Sequence, residues 1–115
     1  MANWRKQPAA LVEEAIADQC NGNYPPSLED LVAVAHKYRF QVYSDDQLST
    51  ALTYHAQRAI FLPNTKPAVM QRMLLHELAE ILLRLPVAPE YFYPVSDKDE
   101  FHEVACLVEK RTAYR

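Results

Sequence analysis

The sequence predicts an α+β fold, a small three-stranded antiparallel sheet packed with about four helices, in one domain spanning residues 1–115. Three observations lead there. The chain has 115 residues, of which 50% are hydrophobic and 23% charged, so one domain can bury a modest core without staples. Apolar residues recur at helical spacing in segments at both ends. Between them lie three short runs of strand formers, giving the order α-α-β-β-β-α-α.

The first helix is expected from Pro8 to Cys20, with Pro8 suited to an early helical position and Gly22 to a stop. NGNYPPS is a turn, and Ser27 is placed to cap a second helix, on which Leu28, Leu31, Val32 and Ala35 share one face. RFQVYS, from Arg39, alternates as a strand until SDDQLS breaks it. ALTYHA from Ala51 and AIFLP from Ala59 read as two more strands, and Pro63 and Pro67 bracket a loop. A long helix runs from about Pro67 to Leu85, where Pro86 ends it. PVAPEYFYPVSDK is too long for a simple connection and is placed to shape a site. Ser96 caps a last helix, on which Phe101, Val104, Ala105 and Val108 share a face.

The bulk charge bounds the function. Net charge is −3 with histidines neutral, and basic residues are scattered, which argues against a nucleic-acid surface. The two cysteines, Cys20 and Cys106, form no C-x-x-C pair and read as reduced thiols, although spacing alone leaves a bond between them open. Glu13, Glu14 and Asp18 break any apolar leader core, and no segment is long and apolar enough to span a bilayer. A cytoplasmic protein with no membrane role is expected.

The stretch LLHELAEILL, from Leu74, carries the chemistry. It approaches the zinc-protease pattern H-E-x-x-H, but gives His76, Glu77, Leu78, Ala79 and then Glu80. Residues four apart project from one helix face, so His76 and Glu80 can grip one ion, with Glu77 beside them to reach a water. Zinc accepts both imidazole nitrogen and carboxylate oxygen. The plain alternative is a solvated amphipathic helix with Glu77 and Glu80 in water, and the fragment alone favours that alternative.

The wider context resembles the ImmA/IrrE family of zinc metallopeptidases, from about Leu28 to Val108. The corresponding pieces are LEDLVAVAHKYRFQVY, AIFLPNTKP, MQRMLLHELAEILLRL and DEFHEVACLVEKR. The resemblance implies a minimal zincin-like metallopeptidase core, with two histidines of the helix motif and a glutamate of the last helix as ligands. Residue by residue, His76 matches the first histidine and Glu77 the general base. Glu80 stands where the second histidine belongs. Anchoring the last helix on Ala105 and Val108 puts His102 at the glutamate position. The two departures complement each other, so the set stays at two imidazoles and one carboxylate. Glu103 is the alternative third ligand, Glu100 a weaker one, and a degenerate site without metal is the third possibility.

The resemblance implies a zinc-dependent endopeptidase that hydrolyses a peptide bond in a regulatory protein by metal-activated water, the substrate lying extended along a sheet edge. The rival expectation is an inactive family member that binds a partner protein through the same groove. Other residues have blander readings. His55 is an ordinary strand histidine or a group bordering the cleft, and His36 suits a helix C-terminus. Tyr91, Phe92 and Tyr93 plug a core or line a groove. Cys106, one turn from His102, is a soft ligand or a quiet thiol. Trp4 is uninformative.

Overall fold

The structure, a computed structural model, describes residues 6–22, 24–84 and 98–113. Along the chain lie α1 (Lys6–Gln19), α2 (Leu28–Lys37), β1 (Gln41–Asp45), β2 (Leu52–Tyr54), β3 (Ala59–Pro63), α3 (Pro67–Arg84) and α4 (Lys98–Ala113). The order is the one expected, and the architecture is α+β. The loop after α3, the Ser96 cap, Tyr91–Tyr93 and Trp4 lie outside the described residues, as do the side chains of Glu100 and Phe101.

Helix α2 shows how local sequence sets an element's ends. Ser27 Oγ accepts from the Asp30 backbone N–H at 3.1 Å, and the Ser27 N–H donates to Asp30 Oδ2 at 3.2 Å, a reciprocal box that satisfies two otherwise orphaned donors. At the other end the Phe40 N–H reaches the Ala35 carbonyl at 2.9 Å and the Arg39 N–H reaches His36 at 2.9 Å. This is the Schellman closure, and it puts Arg39 at φ 65°, where glycine is usual. The strand expected from Arg39 therefore starts later, at Gln41.

The sheet corrects the antiparallel expectation. Its order is β1-β3-β2, with β2 antiparallel to β3 but β1 parallel to it, so the sheet is mixed. The reason lies in β3, the one strand with buried residues along its length, which needs partners on both sides. β2 joins it through the His55–Arg58 turn, where Arg58 takes φ 52°. Residues 46–51 carry the chain past the central slot, which leaves β1 running parallel to β3.

Alternation gives the sheet two faces. Ile60 and Leu62 are fully buried under the helices, and Thr53 points the same way. Tyr43, Phe61 and Tyr54 lie on the outer face, with Phe61 stacked on Tyr43 at 5.1 Å between centroids and edge-on to Tyr54 at 5.6 Å. Arg58 ties the hairpin back to α2, donating to the Tyr38 carbonyl at 2.8 Å and lying 5.6 Å from the Phe40 ring centroid.

Helix α3 is the centre of the molecule, packing on α1, α2, α4 and β3. Leu74, Leu75, Leu78, Ala79, Ile81, Leu82 and Leu83 are all buried, covering most of its circumference. In its second half one stripe carries the polar groups His76, Glu77, Glu80 and Arg84. Val104, Ala105 and Val108 of α4 are fully buried and fix that helix against the core. The buried apolar face thus aims the α3 stripe at α4 on one side and at β2 on the other. Among the described residues, no helix is long and apolar enough to cross a membrane.

Candidate metal centre

His76 is the hub. Its Nε2 lies 2.8 Å from Glu80 Oε2, one turn along α3, and its Nδ1 lies 3.0 Å from Glu109 Oε2, across the helix contact on α4. Both ring nitrogens therefore donate to carboxylates, and the ring is a protonated imidazolium in this arrangement. Burial works against that charge, but the hydrogen bonds to Glu109 and Glu80 and their charges outweigh it and raise the pKa from 6.5 to about 9. Burial also works to raise Glu80, yet its bond to His76 and the nearby His76, His102 and Arg84 side chains hold it below the usual carboxylate range. Glu77 goes the other way: burial and then the Glu80 charge push its carboxyl up, partly offset by His76, the Thr53 hydroxyl and His102.

Helix α4 supplies a second polar stripe. His102, Cys106 and Glu109 fall at i, i+4 and i+7, so they share one face. The His102 ring stands 4.9 Å from the His76 ring, centroid to centroid, at 61°. Cys106 Sγ is 3.5 Å from His102 Nε2 and 4.0 Å from His76 Nδ1. Burial, then the charges of Glu109, Glu80 and Glu103, push the Cys106 thiol up, so without a cation it stays protonated. Both cysteines are free thiols, Cys20 buried and Cys106 exposed.

Two sets of potential ligand atoms lie mutually within 4.8 Å: His76, His102 and Cys106, and His76, Glu77 and Glu80. Such a cluster can bind a metal ion. The three ligands expected from the sequence are split between the two sets, with His76 in both. His102 meets His76 through the α4 group, and Glu80 meets it along α3. Glu103 is exposed and belongs to neither set. Glu109 escaped the sequence reading. Its signal was available, since it lies one helical heptad after His102, but only the packing of α4 on α3 shows that this stripe faces His76.

On the sheet side a recess of about 300 Å³ is lined by Thr53, His55, Glu77, Glu80 and Arg84. His55 is exposed at the start of the hairpin turn and stands edge-on to Phe40, 6.2 Å between ring centroids. It thus borders the cleft, whereas His36 is exposed in the last turn of α2. The recess is polar and opens beside β2, an edge strand of the sheet. No family model, curated protein or solved structure matches the chain.

Proposed function

We propose that this chain is a metal-dependent hydrolase of the zinc-peptidase type, acting on a peptide bond in a protein substrate. The observation that carries the reading is the meeting of two donor sets at His76, one with Glu77 and Glu80 on α3 and one with His102 on α4, beside a polar recess that reaches edge strand β2. The donor set suits a cation. His76 is pressed by two carboxylates within 3.0 Å, with Glu77 close by, and a divalent ion offsets that negative charge better than one proton does. In this reading a bound ion would be held by His76 Nε2 and Glu80 from α3 and by His102 from α4. Zinc fits a site of imidazole and carboxylate donors, and when bound it supplies Lewis acidity near neutral pH.

The chain's own residues do the rest. Glu77 takes a proton from the attacking water and returns it to the departing amine. Thr53 borders the recess from β2, so an extended peptide pairing with that strand would pass its backbone over Glu77. The resemblance to the ImmA/IrrE peptidases supports a regulatory protein as the substrate, and a cytoplasmic setting goes with that reading.

The test uses zinc-loaded protein and a library of quenched fluorescent peptides. Glu77→Gln should keep the metal and lose at least about 100-fold in rate, the scale of a general base. Hydrolysis that survives chelation, or zinc-loaded wild-type protein that cleaves nothing, would overturn the reading. In the second case a partner-binding role for the same groove takes its place.

A further inference from the structure

Two groups of donors meet at His76, one on each ring nitrogen, and the proposed hydrolase uses only the Nε2 side. On the Nδ1 side, α4 presents His102 and Cys106 one turn apart, with Glu109 one turn further on. The Cys106 thiol stands farther from the two imidazoles than Glu80 and Glu109 stand from His76. Zinc–sulfur bonds of about 2.3 Å and zinc–nitrogen bonds of about 2.0–2.1 Å, at tetrahedral angles, put donor atoms about 3.3–3.6 Å apart. Cys106 Sγ to His102 Nε2 is 3.5 Å, and Cys106 Sγ to His76 Nδ1 is 4.0 Å. The first matches an edge of a coordination tetrahedron, and the second exceeds one by about half an ångström, which a small turn of either side chain removes. His76 Nε2 to Glu80 Oε2, at 2.8 Å, is a hydrogen-bond length instead.

We infer that His76 Nδ1, His102 Nε2 and Cys106 Sγ form a second cation seat, selective for thiophilic ions such as zinc, cadmium or copper(I). A thiolate and two imidazoles make a soft donor set, unlike the carboxylates on the other side of the ring. Binding there replaces two protons, one on Nδ1 and one on the thiol, both of which pass to solvent. Glu109 Oε2, 3.0 Å from Nδ1, is at hand as an oxygen donor once that proton has gone. Glu80 keeps its bond to the Nε2 proton, which fixes the tautomer and turns Nδ1 toward the ion. Cys106 is exposed, so an ion can reach the seat from solvent. One consequence rests on the proposed hydrolase: His102 serves one seat at a time, so a soft ion on the Nδ1 side withholds it from the other and lowers turnover.

The experiment is a cobalt(II) titration of the reduced, metal-free full chain, followed by cadmium competition. Wild-type protein should show the intense near-ultraviolet sulfur-to-cobalt charge-transfer band. Cys106→Ser should abolish it and weaken cadmium binding by at least about 100-fold, beyond the 10–100-fold that outer-shell partners are worth. Cys20→Ser and Glu80→Gln should both keep the band. Cobalt bound without a charge-transfer band, or a band that survives in Cys106→Ser, overturns the seat. The two readings fail separately: a band without peptide hydrolysis leaves the seat standing, and hydrolysis without a band leaves the hydrolase standing.

Discussion

Helix α4 makes polar contact with two neighbouring helices, and the two contacts are built differently. Toward α1, Arg111 Nε meets Glu13 Oε1 at 3.0 Å, with the Glu13 side chain 7% exposed. A guanidinium faces a buried carboxylate there, and nearby Tyr24 and Thr112 share a hydroxyl hydrogen bond at 2.7 Å. Toward α3, a single imidazole faces Glu80 and Glu109, with Glu77, His102 and Cys106 close by. The first contact sets one carboxylate against a permanently charged guanidinium. The second presses two carboxylates on one titratable ring, and His76 answers by holding a proton up to about pH 9. A structural ion pair and a candidate metal centre can thus be told apart on one helix, by whether the cationic group is a permanent guanidinium or a titratable imidazole among other ligand atoms.

Each side of that contrast can be broken. The largest effect should come from Arg111→Met. It leaves the buried Glu13 carboxylate without its guanidinium, and breaking a buried pair costs about 3–5 kcal/mol. Because the Arg111 side chain is 35% exposed, about 2–3 kcal/mol is the expected loss, read from the urea midpoint. A loss under about 0.5 kcal/mol would make the Glu13 contact a surface pair.

His76→Leu in metal-free protein should cost less, about 1 kcal/mol, because Glu109 keeps 30% exposure and water can answer the carboxylates it leaves. A larger loss than in Arg111→Met would invert the comparison. The pH dependence follows from the same group. Its folded-state pKa lies above the ordinary value, so its stabilising effect is full below 6.5 and is lost as pH rises through about 9. The urea midpoint of metal-free protein should therefore fall across that window, and the fall should vanish in His76→Leu. The smallest effect is expected for Cys106→Ser. The residue is exposed, so metal-free stability should change by no more than about 0.5 kcal/mol even though soft-ion binding collapses.

Much of the scaffold could be read from local chemistry. Ser27 announced the start of α2, AIFLP was β3 residue for residue, and Pro67 opened α3, because caps, alternation and proline act within a few residues. The parallel pairing of β1 with β3 could not be read this way. Alternation says which face a residue takes, not which neighbour its strand has. Arg39 misled in a similar way: its side chain suits a strand, but helix closure claimed its backbone. At the site, the α3 stripe was legible in HELAE. On α4 the family resemblance drew attention to His102 and helical spacing made Cys106 an optional soft ligand, while Glu109, further along the same face, mattered only once α4 was packed on α3.

The central claim is that the α3–α4 contact is completed by a bound cation. Metal analysis of protein purified without chelator, with wild type beside folded His76→Ala, tests it most directly. The account expects bound zinc in the wild type and none in the variant. Wild-type protein that stays metal-free in excess zinc, or zinc retained in full by His76→Ala, would contradict it.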